Sequence, residues 1–307
     1  MSTVESYGVG VENARTVEVG SDQYHEIDAV SNSMLKLFAD DPETCWQRNV
    51  ARIADQKTSK AFDFGRRLER LVMFDEEPLT IPLDVLQKRR KPGSTTEYTY
   101  ARAGQPYTDW LQQMQSQHGA LLDIVTDEER VALITARERL REHKQANRLL
   151  WGAGQAHVSL LWDDVTQGPA IPCKCQLDFL HSRDIIVDLK TAAPSNIASE
   201  WKLRTHMWEF RYHWQAYWYR HAVKALTGKL MPFVFVFVQS DEPFRAFVVQ
   251  PNDEWFEFAE FQVRKTFAKV ANVWASRHDT VWRADDWDAI KIVGPPRYAQ
   301  AALEDEL

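Results

Sequence analysis

Cysteine is scarce: Cys45, Cys173 and Cys175 are the only three in 307 residues. Three thiols cannot build a full disulfide framework, which points to a reducing compartment, the cytoplasm. They also fall short of the four thiolates an iron–sulfur cluster usually takes, so no such cluster is expected. Cys173 and Cys175 lie in a strand-like run, where one of them is expected to point inward. No run reaches the ~18 continuous apolar residues of a membrane helix. The opening Met1 to Ser6 lacks the basic start and apolar stretch of a secretion signal, so no membrane partner is expected. An excess of basic charge is also missing: 37 Lys and Arg stand against 44 Asp and Glu, a net charge of −7. That excludes a surface coated in positive charge but allows a locally positive channel. Internal repeats and low-complexity segments are absent.

What is present is an ordinary globular composition, 44% hydrophobic and 26% charged, enough for one large domain with insertions. Residues 1–27 show no period and read as a loose, flexible N-terminal arm. Ser31 to Ser33 offer caps for a short helix containing Met34, Leu35, Leu37 and Phe38, which Asp41-Pro42 ends. A second helix is expected from Ser59 to Phe74, with Ala61, Phe64, Gly65, Leu68, Leu71 and Val72 on its apolar face. Residues 78–106 read as a long loop over a site. Thr126 and Glu129 have capping-box spacing and open a helix to about Leu150. Strands follow over 157–162, 171–180 and 185–191, separated by turns at 163–169 and 181–184. A helix is expected over 205–226, stopped by Thr227-Gly228. Phe233 to Val238 is wholly apolar and reads as a central strand, with 245–250 pairing beside it. The last long helix runs from about Asn252 to Ser276, and 281–307 form a solvated C-terminal tail. The fold class is α/β: one domain over 28–280, with a helical part at 28–150 and an α/β core at 151–280.

The chemistry concentrates on one hairpin. The turn at 181–184 places Asp178 opposite or diagonal to Asp188, within ~5–8 Å at Cβ. Asp188 and Lys190, two apart, share a strand face. Neighbouring carboxylates repel unless a cation sits between them, and hard oxygen ligands suit Mg²⁺ or Mn²⁺. A lysine beside them can orient or help deprotonate a metal-bound water, and phosphodiester hydrolysis needs this set of parts. The tripeptide alone is weak, because Asp55-Gln-Lys57, Glu142-His-Lys144 and Glu200-Trp-Lys202 match it too. Only Asp188-Leu-Lys190 follows an apolar strand and has an acid on the partner strand; the plainer reading is a salt bridge between strands. Gln215 and Tyr219 share one face of the next helix, as Gly65 and Glu69 do on the earlier one. Glycine there lets that helix approach closely and bring Glu69 to the metal. Against this, Tyr219 can be core and Glu69 can pair with an arginine of its own helix. Two basic clusters, Arg66-Arg67 with Arg70 and Lys88-Arg89-Arg90-Lys91, read equally well as solvated faces or as DNA contacts facing the channel.

Taken in order, Ser31-x-Ser33-Met-Leu-Lys36, Ala61-x-x-x-Gly65-x-x-x-Glu69, Asp178 with Asp188-Leu-Lys190-Thr191, and Gln215-x-x-x-Tyr219 resemble the RecE-like exodeoxyribonuclease group of the PD-(D/E)XK superfamily, mostly phage or prophage recombination nucleases. The resemblance covers roughly residues 28–250. It implies a mixed sheet flanked by helices, one or two Mg²⁺ ions, and double-stranded DNA ends as substrate. It implies Asp178 and Asp188 as metal ligands with the Leu189 carbonyl as a third, and Lys190 as the catalytic lysine. Gln215 and Tyr219 match the motif on the helix beside the site, and Ser31 and Ser33 fall among the DNA contacts. Two departures stand out. The position of Glu69 is usually histidine in that group, and that of His157 is often glutamate. Either the pair has exchanged places near the metal, or His157 is a structural strand residue.

The resulting expectation is a metal-dependent exonuclease on duplex ends, with a single-strand annealing recombinase and further copies of the chain as partners. A closed or toroidal oligomer would suit processive digestion. The rival readings are an endonuclease of the same fold in restriction or repair, a non-catalytic DNA-binding or scaffold protein, and a tryptophan-rich interaction protein.

Overall fold

Helix starts follow the capping residues. Ser31 Oγ accepts the Met34 amide, Asp41 that of Thr44, Ser59 that of Phe62, and Asn252 that of Trp255. Thr126 and Glu129 form a reciprocal box. Each such bond satisfies an amide that the helix leaves unpaired, typically stabilising by about 1 kcal/mol. The computed structural model describes residues 10–284 apart from 55–58, 93–95, 97 and 120–121. The arm before residue 10, the tail beyond 284, Gly93 and the Asp55-Gln-Lys57 match lie outside the described residues.

Along the chain come β1 (Val11–Val17), α1 (Ser21–Glu26), α2 (Asn32–Asp40), α3 (Pro42–Asn49) and α4 (Lys60–Met73). An excursion follows, with β2 (Leu79–Thr80), β3 (Gln87–Arg90), β4 (Tyr98–Ala101), α5 (Gln105–His118) and β5 (Ile124–Val125). Then come α6 (Asp127–Glu142), α7 (Lys144–Leu150), β6 (Gly154–Asp164), β7 (Ile171–His181) and β8 (Ile185–Ala192). The last elements are α8 (Glu200–Glu209), α9 (Tyr212–Thr227), β9 (Phe233–Gln239), β10 (Ala246–Val249) and α10 (Asp253–Trp274).

The main sheet has six strands in the order β1-β6-β7-β8-β9-β10. All neighbours are antiparallel except β8 and β9, which run parallel and are joined through α8 and α9. Every residue of β9 is buried, because strands flank it and helices cover both faces. On one face, α2, α9 and α10 build a core with Leu35, Trp162, Leu177, Trp214, Phe235 and Val263. On the other, α4, α6 and α7 contribute Leu68, Leu71, Leu133 and Leu140 against Val187 and Val236. Among the described residues no helix is long and apolar enough to cross a membrane.

Several expectations need correction. Residues 11–26 are not a loose arm. β1 pairs along the edge of β6, and Lys174 Nζ donates to the carbonyls of Tyr24 at 2.9 Å and Ile27 at 2.7 Å, holding the end of α1. Local periodicity missed this strand because its partner, residues 159–164, lies far along the chain. The 78–106 segment contains strands and a helix rather than one loop. The helix expected over 205–226 is two, broken where Arg211 takes φ 49°. The helix after Thr126 breaks at His143, whose Nδ1 accepts the Ala146 amide and caps α7. Cys173 and Cys175 are both buried, since residues two apart share a strand face. Trp282 is not part of a solvated tail: it is buried, edge-on to Phe38 at 5.4 Å between ring centroids.

Candidate active site

The site forms where β7 and β8 part. Next to their turn they pair as Phe179–Val187, Leu180–Ile186 and His181–Ile185. Continuing that register sets Asp178 opposite Asp188, but the ladder ends there. Asp178 Oδ2 instead accepts the Leu189 amide at 2.8 Å. On the other side, Ala156–Phe179 and Val158–Leu177 bracket His157, which adopts φ 51°. The pleat slips at this row. Leu177 and Val158 pack in the first core, whereas Phe179 and Ala156 pack in the second. Residues two apart in a regular strand share a face, so the irregularity re-aims His157 and Asp178. Such local strain recurs at functional sites.

Asp188 is fully buried. Its Oδ2 accepts from Gln215 Nε2 at 2.5 Å. Its Oδ1 is ion-paired with Lys190 Nζ. Lys190 Nζ also lies 5.7 Å from the centroid of Tyr212, whose ring is 5.4 Å from Lys36 Nζ. From the other side of the cleft, Glu69 Oε1 meets His157 Nε2 at 2.8 Å, and Phe74 packs edge-on against that imidazole at 4.6 Å. α4 comes this close because of Gly65: a Cβ there would sit 2.8 Å from Thr191 Oγ1.

The electrostatics are those of a crowded anionic site. Burial pushes the Asp178 carboxyl well above its usual range, and Asp188 and Glu69 push it further. Burial likewise raises Asp188, with Lys190 opposing. Burial works against the Lys190 ammonium, but Asp188 and Asp178 outweigh it and raise its pKa. Lys36 is brought down to about 7, first by burial and then by Lys190.

Among the described residues, no three His, Cys, Asp or Glu side chains are grouped so as to hold a metal ion by themselves. Mg²⁺ does not require such a cage; it takes one or two carboxylates and keeps several waters. Asp178 and Asp188, two carboxylates that disfavour each other's charge in a buried site, fit that chemistry. The amide and carbonyl of one strand residue point to the same edge. The Leu189 carbonyl therefore faces the gap between β7 and β8 and fits as a third oxygen.

A cleft of about 1370 Å³ lies over this point. Of the residues singled out in the sequence, Glu69, His157, Asp178, Leu189, Lys190, Gln215 and Tyr219 line it. Ser31, Ser33 and Arg66 do so as well, and Asp188 lies beneath. Arg67 does not face the channel as expected: it binds Asp123 at 2.7 Å and the Ile124 carbonyl at 3.3 Å. That pairing, and not the position on α4, keeps Arg67 out of the cleft, since the adjacent pairs Gly65 with Arg66 and Glu69 with Arg70 both line it. Nor do Lys88, Arg89, Arg90 or Lys91 line it; the first three are on β3 and Lys91 follows it. Sequence reasoning gave no role to Phe74, His206, Phe210 and Tyr212, and quoted Lys36 only within a motif; all five line the cleft. Lys36 carried a signal, five residues after the capping Ser31, whereas the aromatic residues read as core.

No curated protein matches the sequence. A solved structure described as a "Putative exonuclease" from Eubacterium rectale superposes with a TM-score of 0.59 at 16% identity, over 91% of this chain and 96% of that one. At that identity the likeness speaks for the fold. The structure of SSO0001 aligns at a TM-score of 0.25 and 13% identity, over 69% of this chain and 88% of that one, and carries no argument. A family profile described as a PDDEXK-like domain of unknown function (DUF3799) matches residues 84–286. That span holds Asp178, Asp188, Lys190, Gln215 and Tyr219, while α2 and α4 fall outside it. The chain thus belongs to this PDDEXK-like family, and its mixed sheet flanked by helices is a PD-(D/E)XK fold.

Proposed function

We propose that this protein is a divalent-metal-dependent deoxyribonuclease, and within that class an exonuclease acting on double-stranded DNA ends. The observation that carries the reading is Asp178 at the parting of β7 and β8, beside a buried Asp188 held by Lys190 and Gln215. Asp178, Asp188 and the Leu189 carbonyl would hold one or two Mg²⁺ or Mn²⁺ ions, with Glu69 and His157 flanking. When bound, the metal supplies Lewis acidity toward the phosphate and an activated water.

The protein's own groups do the rest. Gln215 fixes one oxygen of Asp188 and leaves the other toward Lys190. Lys190 Nζ keeps its proton against Asp188 and Asp178. Where those charges are offset it releases that proton more readily, which suits exchange with the attacking water or the leaving oxygen. His157 holds Glu69 in place. Ser31, Ser33, Lys36, Arg66 and Tyr219 line the path a DNA strand would take. A role in phage-type recombination, beside a single-strand annealing recombinase, is what the resemblance implies, and a ring of like chains would suit processive digestion.

The test is to incubate the pure protein with linear and covalently closed duplex DNA, in Mg²⁺, Mn²⁺, Ca²⁺ or chelator. Linear DNA should be degraded in Mg²⁺ and Mn²⁺ and closed circles left intact. Ca²⁺, which tolerates longer bonds and more ligands, should support binding without cutting. Robust cleavage in chelator overturns the mechanism, and equal cutting of closed circles makes the enzyme an endonuclease.

A further inference from the structure

Folding does not explain the face of the β3–β4 ribbon. These strands form a two-stranded sheet of their own, with no further strand beside it among the described residues. Lys88 pairs with Tyr100 and Arg90 with Tyr98. Directly opposed residues share a face, as do residues two apart on one strand. Lys88, Arg90, Tyr98 and Tyr100 therefore make up one face. The diagonal contact of Lys88 Nζ with the Tyr98 ring, 4.3 Å from its centroid, agrees with this. Arg89 is on the opposite face, where its guanidinium binds Gln87 Oε1 at 2.6 and 2.8 Å.

All of β3 is exposed, and Tyr98 and Tyr100 are 45% and 44% exposed. None of the four residues joins either core or lines the catalytic cleft. An isolated two-stranded hairpin is marginal in water, so two aromatic rings and two cations held out together call for an external partner. In a chain of net charge −7, a cationic face fits an anionic one. Flat rings beside cations suit nucleic acid, the rings stacking on bases and the cations meeting phosphates. Tyr98 and Tyr100 are about 7 Å apart along their strand, roughly twice the ~3.4 Å rise of a stacked DNA strand. Bases that meet both rings must be unstacked from each other, which a duplex does not offer.

We propose that this ribbon face is a platform for single-stranded DNA, outside the catalytic cleft. On the nuclease reading above, from which this follows, it holds the strand that end-degradation leaves uncut.

The experiment measures anisotropy of labelled oligothymidylate, an all-abasic strand of equal length and a blunt duplex, with the full chain in chelator so that nothing is cut. The oligothymidylate should bind about tenfold or more tighter than the abasic strand, as base stacking predicts. Replacing both rings, Tyr98→Ala with Tyr100→Ala, should remove most of that difference, and Tyr98→Phe with Tyr100→Phe should keep it. Lys88→Gln with Arg90→Gln should weaken both single strands alike and flatten the salt dependence. Unchanged binding of single strand in the double alanine variant, or a loss of blunt-duplex affinity in that variant as large as its loss for single strand, overturns the proposal. If the base-dependent difference is present and lost with the tyrosines, yet no DNA is cut in any metal, the platform stands and the nuclease reading falls. If DNA is cut while the alanine variant binds like wild type, the reverse holds.

Discussion

Asp188 is buried against the Lys190 ammonium and the Gln215 amide, and Asp178 sits next to it with its own charge disfavoured. Asp178→Ala, Asp188→Ala and Lys190→Ala should each lower cleavage by about 10³-fold or more, since the reaction rests on positioned charge. Calorimetry should show metal affinity lost in the two aspartate variants and kept in Lys190→Ala; full activity in any one of them removes the site assignment. The raised carboxyl also makes a stability prediction. Burial and the neighbouring Asp188 raise the folded-state Asp178 carboxyl above the ordinary value of 3.8, so between the two values the unfolded chain gives up this proton more readily than the folded protein. Its contribution to stability is therefore present below the ordinary value and lost as pH rises through the raised folded-state value. Asp178→Asn keeps an acceptor for the Leu189 amide and removes the charge. In chelator at neutral pH it should melt a few degrees higher than wild type, at roughly 2–4 °C per kcal/mol for a chain of this size. It should also lose less stability between acid and neutral pH. A melting curve that falls with pH as steeply as wild type would count against the crowded-anion account.

Two elements meet to complete the site, and glycine decides how closely. Gly65 of α4 rests against Thr191 of β8, and one turn further along Glu69 reaches His157 of β6. Gly65→Val should push α4 off the sheet, costing about 1–3 kcal/mol as overpacked sites do. It should cut activity more than the melting shift alone explains. Adding Thr191→Ala should recover part of both, read as a double-mutant cycle of melting temperature and rate. If Gly65→Val cuts at the wild-type rate, the close approach is not what delivers Glu69. The break between α8 and α9 has a comparable effect: Arg211 in the left-handed region starts a new helix at Tyr212, on the cleft side of Lys190. Neither contact has a signature in local periodicity, whereas the faces themselves do, as Gly65 with Glu69 and Gln215 with Tyr219 illustrate.

Across the molecule, the chain beyond α10 returns to brace α2 and α3. Trp46 Nε1 donates to the Arg277 carbonyl at 2.7 Å, and Trp282 fills the core beside Phe38. Trp282→Ala should destabilise by about 3–5 kcal/mol, seen in chemical denaturation; a loss under 1 kcal/mol would show that this return is loosely held. The caps at Ser31, Ser59, Thr126 and Asn252, the hairpin that sets Asp178 by Asp188, and the pairing of Lys190 with that strand face were all determined by the sequence on its own. They depend on spacings of two, three or four residues, which backbone geometry converts directly into shared faces. Other features were decided only by the tertiary structure: β1 at the sheet edge, Arg67 turned to Asp123, the basic cluster on a ribbon away from the cleft, and the slip of the pleat at His157 and Asp178. The contact of Glu69 with His157 belongs with these, joining residues 88 apart in the chain. Periodicity says which residues share a face. Which distant face they then meet depends on how the sheet and helices pack, and no short window of sequence holds that information.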